Sequence, residues 1–389
     1  MGKGLKALLH WKTLEVLCWT AAVGLGAVYL YSRLVGDSEE LNISCFAYRD
    51  VNRNGVYDVG DRPYAGLTMV LDRPSGGAVT AASNLSGFTN FPMSRRGSAA
   101  ITRPGRYTIT VNPPRNWTIT SGNPAQTVSF RRLDSAPVGL VAEHTFVPVG
   151  VAPDLTISGR VVIDASEPRR EASTLRAVSP EGAVKDVPIS ESGQFSMPAE
   201  PGEWHLGYTR ADGTTASRAI IVRDHAVVMS SIGSGALPPP AKPVRHTATF
   251  DTLTTSDALM EIPRGYAGLD WTNWVATHQT LYNSTGMLNG AVSPEYVAYN
   301  SSGHPAAIAS DQAFDLGGVY VGVAWPGAEP HEILVKAWRD DRLAYEDRLR
   351  GVTAGPIYFD ADYRQITRIE FASAAYWQIV FDDLEFRTD

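Results

Sequence analysis

Past residue 40, apolar residues recur at alternate positions in short runs instead of at helical spacing, and Gly, Pro, Asn and Asp punctuate the runs. Such a pattern admits strands with one buried face and excludes a helical bundle. Tyr107, Ile109 and Val111, for example, alternate with Thr108 and Thr110. Strands this short, separated by turn signals, predict an all-β chain built of sandwiches.

A weak internal repeat places the boundaries. Ser86-Gly87-Phe88 is followed by Pro104-Gly105-Arg106-Tyr107, and Ser192-Gly193-Gln194-Phe195 by Pro201-Gly202-Glu203-Trp204. In each copy a Gly turn and then a Pro-Gly turn feed a strand opening near an aromatic. Two small sandwiches are predicted over residues 41–148 and 149–234. The run Gly235-Ala236-Leu237-Pro238-Pro239-Pro240-Ala241-Lys242-Pro243 reads as a stiff linker over 235–245, because proline fixes φ and removes backbone donors. Residues 246–389 form a third domain.

Residues 16–32 carry no charge over seventeen positions, the lower limit for a membrane-spanning helix, and Arg33 can snorkel to lengthen it. Lys3, Lys6 and Lys12 precede this stretch, and Asp37, Glu39 and Glu40 follow it. The bias keeps residues 1–40 as a cytoplasmic start plus an anchor at 16–34, with the rest periplasmic or extracellular. A cleaved signal peptide wants small residues before its cut, where Leu30 and Tyr31 stand, although Gly24 and Gly26 leave an earlier cut open. A net charge of −7 without clustered Lys and Arg argues against nucleic acid as a partner. Two cysteines, Cys18 and Cys45, exclude a disulfide scaffold and a four-thiolate zinc site.

The strongest chemical motif runs from Asp50 to Asp61. Side-chain oxygens fall at Asp50, Asn52, Asn54, Asp58 and Asp61, loop positions 1, 3, 5, 9 and 12, with Gly55 at the sharp turn and Val56 where a backbone carbonyl suffices. A hard cation taking six to eight oxygens suits this spacing. Asp in place of Glu at the last position shortens the reach, and strand-like flanks exclude an EF-hand. The alternative is an Asx-rich turn that binds nothing.

The run from Phe46 through Asp61, the segment Gly66-Leu67-Thr68-Met69-Val70-Leu71, Ser86-Gly87-Phe88 and Pro104-Gly105-Arg106-Tyr107 resemble, in that order, the prealbumin-like, calcium-loop B-repeat domains of bacterial surface adhesins. The resemblance implies a prealbumin/Ig-like sandwich in which Asp50, Asn52, Asn54, Val56, Asp58 and Asp61 hold structural Ca2+ and stiffen a stalk. Residues 155–223 look like a second prealbumin-like sandwich, similar to the regulatory domain of carboxypeptidases, without the acidic loop.

Five of the nine tryptophans lie in the last domain. Tyr266, Trp271 and Trp274, within Gly265-Tyr266-Ala267-Gly268-Leu269-Asp270-Trp271-Thr272-Asn273-Trp274, are candidates to stack on sugar rings, or else are core residues of a sandwich. Phe250-Asp251-Thr252-Leu253, the Tyr266 segment and Phe381-Asp382-Asp383-Leu384 resemble the jelly-roll modules of secreted proteins carrying a PEP sorting signal, a group related to carbohydrate-binding modules. That resemblance implies a jelly-roll fold with a second structural Ca2+ shared by Asp251, Asp382 and Asp383; ordinary strand-end carboxylates are the alternative.

Enzyme signatures are thin: no GxSxG elbow, P-loop or GxGxxG follows a strand, and Val335 stands where a HExxH site after His331-Glu332 needs histidine. The chain therefore reads as a membrane-anchored, non-catalytic envelope protein whose head binds polysaccharide or another surface component. The competing reading is an assembly subunit docking onto an envelope protein without glycan, and a third is a carboxylate-pair hydrolase, whose two acids leave no linear signature.

Overall fold

The structure is a computed structural model that describes residues 41–94, 99–136, 138–162, 174–209, 215–232, 240–253 and 259–389. The anchor predicted at 16–34, Cys18 and the first part of the proline run lie outside the described residues. Among the described residues no helix is long and apolar enough to cross a membrane.

Alternation becomes burial along the strand Gly105–Asn112, where Tyr107, Ile109 and Val111 point inward. This strand is central in a five-stranded sheet that also contains Thr68–Asp72 and Ala125–Arg132. A second sheet is built on Leu41–Arg49, which pairs with Phe88–Met93, Arg62–Pro63 and Val149–Pro153. Cys45, Met69, Phe91, Ile109 and Val149 fill the space between the two sheets. The Cys45 thiol faces the Val147 carbonyl at 3.6 Å, and burial pushes its pKa up to about 12, so it is an inert core residue.

Thr174–Val178, Gly202–Thr209 and Thr215–Val222 lie in one sheet of the next unit. Thr156–Arg160 pairs with Gln194–Pro198 and with Val227–Met229 in the other. Trp204 is 1% exposed at the centre of this core, its indole N–H donating to the Glu200 carbonyl at 3.0 Å. Both copies of the repeat share a backbone. Gly105 and Gly202 have φ of 139° and 135°, and a Cβ at either would strike Pro74 or Pro180 at 2.8 or 2.5 Å. No other residue suits both the angle and the space.

Long strands, Ala306–Val323, Ile357–Ser373 and Ile379–Thr388, dominate the last unit and enclose Trp274, Val319, Val321, Phe359, Phe371 and Phe381. The units are not strung loosely. Val227–Met229 pairs in parallel with Ile357–Ser373, Val227 opposite Tyr358 and Met229 opposite Asp360, so one sheet crosses from the second unit into the third. Tyr358 also packs against the second unit's core. The linker predicted to reach residue 245 is fastened earlier: the Lys242 amide donates to Asp315 Oδ2 at 2.6 Å, and Val244–Ala248 pairs with Ile379–Thr388. A free extended spacer would leave these backbone donors to water, and here neighbouring strands take them.

Candidate cation sites and the junction between units

The 50–61 loop is closed by its own side chains. Asp50, 1% exposed, accepts the amides of Asn54 and Gly55 at 3.2 and 2.8 Å. Asp61 accepts those of Val51 and Asp58 at 2.9 and 3.1 Å. Asn52 and Asn54 turn their amide nitrogens to Asp58, at 3.0 and 2.7 Å, while their oxygens accept from Asn54 and Val56 amides. Gly55 is required where it stands, because φ is 78° and a Cβ would meet the Thr120 carbonyl oxygen at 2.9 Å. The Val56 side chain is exposed. The three carboxylates still form one negative face: burial first, then Asp50, Asp61 and Asp58, push the Tyr48 phenol up to about 12.

The second acidic group is assembled from distant parts of the chain. Asp382, fully buried, accepts the amides of Val292 and Ser293 at 2.6 and 2.9 Å and the Ser293 hydroxyl at 2.9 Å. Asp251 accepts the amides of Glu295 and Tyr296 through Oδ1 at 3.0 and 3.1 Å. Asp251 Oδ2 and Asp383 Oδ1 are buried with no hydrogen-bond partner. Burial, and then the Asp383 charge, push Asp382 up to about 8; burial raises Asp383 too, with Asp251 adding to it. Buried carboxylate oxygens without donors are a condition that a cation would relieve.

Among the described residues no group of three His, Cys, Asp or Glu converges closely enough to hold a metal by itself. A cation at either place would therefore have to draw also on carboxamide, carbonyl or water oxygens, as calcium commonly does. The Thr249 carbonyl, 3.2 Å from the Ser293 hydroxyl, is such an oxygen beside the second group.

One side chain connects the two places. Arg62, next to Asp61, donates to the carbonyls of Ala291, Val292 and Ser293 at 3.2, 2.8 and 3.5 Å. Two of those residues, Val292 and Ser293, present the amides that cap Asp382. Asn289 adds a second clasp, giving its amide hydrogens to the Ala65 and Thr353 carbonyls at 3.0 and 3.1 Å.

A third polar knot joins all three units. Arg49 of the first is 7% exposed and places Nη2 2.5 Å from His225 Nε2 and 3.5 Å from Asp224 Oδ2, both of the second. His225 Nδ1 lies 2.8 Å from Asp224 Oδ1, and its ring abuts Tyr320 of the third unit at 4.8 Å. With a guanidinium on Nε2, the proton belongs on Nδ1, donated to Asp224, and the ring is neutral. Burial, reinforced by Arg49, accordingly pushes His225 down to about 4. Burial alone would raise Asp224, but the His225 bond and the neighbouring charges hold it well below the usual carboxylate range. Nothing in the linear sequence brings Arg49 or Tyr320 to the adjacent Asp224 and His225.

The sugar-stacking prediction is corrected. Trp274 is 0% and Trp271 7% exposed, and Tyr266 packs partly buried against the same core. Trp271 stands edge-on to Trp274 and Phe250, and its indole N–H donates to the Tyr266 carbonyl at 2.9 Å. Large rings gain more from burial than from solvent, so Trp271 and Trp274 present no open flat face to a pyranose.

No family model matches the chain, and no curated protein does. Solved structures give remote likenesses. The Bacillus anthracis TIE protein matches at 7% identity over 49% of this chain and 33% of that one, with a TM-score of 0.22. This chain thus spans about a third of that protein. The shaft pilin SpaA of Lactobacillus rhamnosus GG matches at 13% identity over 51% and 100%, TM-score 0.23, and the minor pilin GBS52 of Streptococcus agalactiae at 11% over 52% and 99%, TM-score 0.21. Similarity at these scores carries no functional assignment.

Proposed function

We propose that this chain is a non-catalytic structural protein of the cell envelope, anchored through residues 16–34, that docks as one rigid body onto an envelope protein. The observation that carries this reading is the fusion of the units: a sheet shared across Val227–Met229 and Ile357–Ser373, backed by the buried Arg49–His225–Asp224 knot. A body without a hinge transmits position and load, which suits assembly more than capture. The pair most like acid–base machinery, His225 with Asp224, is closed over by Arg49, leaving His225 2% exposed and out of reach of a substrate. Calcium is the ion we assign to Asp251, Asp382 and Asp383, and to the 50–61 loop, as a brace. The loss of Tyr266, Trp271 and Trp274 as a sugar platform favours a protein partner over polysaccharide.

Fractionation of cells carrying the full chain, followed by cross-linking, tests this reading. Recovery in the membrane fraction, cross-linked to an envelope protein, is expected. Recovery in the cytosol, or retention on insoluble polysaccharide without any protein cross-link, would overturn it.

A further inference from the structure

A cleft of about 430 Å³ opens between the second and third units. Its walls come from Thr215–Val222 on one side and from Ile357–Ser373 and Ile379–Thr388 on the other. The strands under it are irregular. Ala306–Val323 slips register against both neighbours between Leu316 and Gly318, and Asp362 has a φ of 47°. Bulges and left-handed residues re-aim side chains, here into the cleft.

Five arginines line it, 218, 223, 245, 364 and 387, together with four acids, 315, 360, 362 and 385. The acids are spent. Glu385 is held by Arg223 at 3.1 Å, by Arg245, and by the Tyr358 hydroxyl at 3.0 Å. Arg218 pairs with Asp360, and Arg364 with Asp362. Asp315 accepts the amides of Lys242 and Gln365 at 2.6 and 2.8 Å and lies 3.5 Å from Arg364 Nη1. The donors are not spent. Among the described residues the Arg387 guanidinium, on the cleft wall, has neither ion pair nor hydrogen bond, whereas the unbonded Nε and Nη1 of Arg364 are buried behind the wall. Arg223 lies over the Tyr358 ring at 5.8 Å, and half-exposed Ile221 adds apolar wall.

We infer that this cleft binds a small organic oxyanion, a carboxylate or phosphate carried on a body about the size of one sugar ring, with Arg387 as its principal charge partner. Surplus guanidinium donors call for an oxyanion acceptor, because the planar fork matches carboxylate and phosphate alike. The volume lies near the lower end of small-molecule sites. The site is distinct from both acidic groups and goes beyond the structural role proposed above.

Calorimetric titration of the full chain with glucuronate, glucose 6-phosphate, glucose and inorganic phosphate tests it. Both charged sugars are expected to bind and glucose is not. Arg387→Gln, which breaks no existing ion pair, is expected to weaken binding about tenfold or more, the loss of one charge-assisted bond. Arg342→Gln, an equal charge change on an exposed strand, should leave affinity unchanged. Failure of both charged sugars to bind, equal binding of glucose, or indifference to Arg387→Gln overturns the assignment. Inorganic phosphate binding as tightly as the sugars overturns the organic body and leaves the cleft to the free ion.

Discussion

The two acidic groups contain similar chemistry and solve it in opposite ways. In the 50–61 loop, carboxylates close in sequence are met by the loop's own amides, and Asp58 stays exposed. In the second group, Asp251, Asp382 and Asp383 are brought together by the fold, and two oxygens are left buried without partners. A contiguous motif can satisfy itself, because turn geometry puts N–H groups within reach. A cluster assembled by packing inherits whatever its neighbours leave, so the state of its carboxylates depends on the fold around them.

The largest expected effect sets the two apart directly. Asp382→Ala should destabilise the full chain by about 3–4 kcal/mol in urea unfolding, since it strands the amides of Val292, Ser293 and Asp383, while the Ser293 hydroxyl keeps the Thr249 carbonyl. Asp58→Ala should cost under about 0.5 kcal/mol with chelator present, as for an exposed site. Equal losses would break the contrast.

With chelator present, acid acts in opposite directions at the second group and at the junction: Asp382, raised to about 8, sheds an unfavourable buried charge as pH falls, whereas His225 must gain one. His225 has a folded-state pKa of about 4 against an ordinary 6.5, so its contribution is complete above about 6.5 and is lost as pH falls through about 4. Because the Asp382 contribution is common to both chains, the difference in unfolding free energy between the parent and His225→Gln isolates the junction, and it should shrink by up to about 3 kcal/mol from pH 7 to pH 4. A difference that stays constant over this range would sink the assignment.

Calcium sharpens the comparison further. At a hundred times its Kd the ion should stabilise by about 2.7 kcal/mol at a single site, read as a rise in Tm that chelator reverses. Asp383→Asn should abolish most of that rise and Asp58→Asn a smaller share. The reverse ranking would make the loop the tighter site. The smallest effect concerns the connection between them. Arg62→Gln should cost about 1–2 kcal/mol through lost carbonyl bonds and should lower calcium affinity in the Asp382 group without touching any carboxylate.

What could be read from the chain follows the same division. Gly105 and Gly202 carry their backbone angle wherever they fold, so the repeat was visible, as was the inward face of Tyr107, Ile109 and Val111. The 50–61 loop was visible because its spacing is its geometry. Trp271 and Trp274 were ambiguous, since aromatic content alone does not say which face of a strand meets solvent. The Arg49–His225–Asp224 knot and the arginine cleft had no linear signature, because each joins segments more than a hundred positions apart. Only resemblance grouped Asp251 with Asp382 and Asp383, and their unmet oxygens are a property of packing.

The parallel pairing of Val227–Met229 with Tyr358–Asp360 makes covalent continuity dispensable at one point. A peptide bond cut anywhere between Ile232 and Pro240 would sever the backbone yet leave both halves sharing a sheet, with Ser230 and Arg218 still bonded to the carbonyl oxygens of Asp360 and Ala361. The nicked protein would migrate as one particle under native conditions and as two bands once denatured.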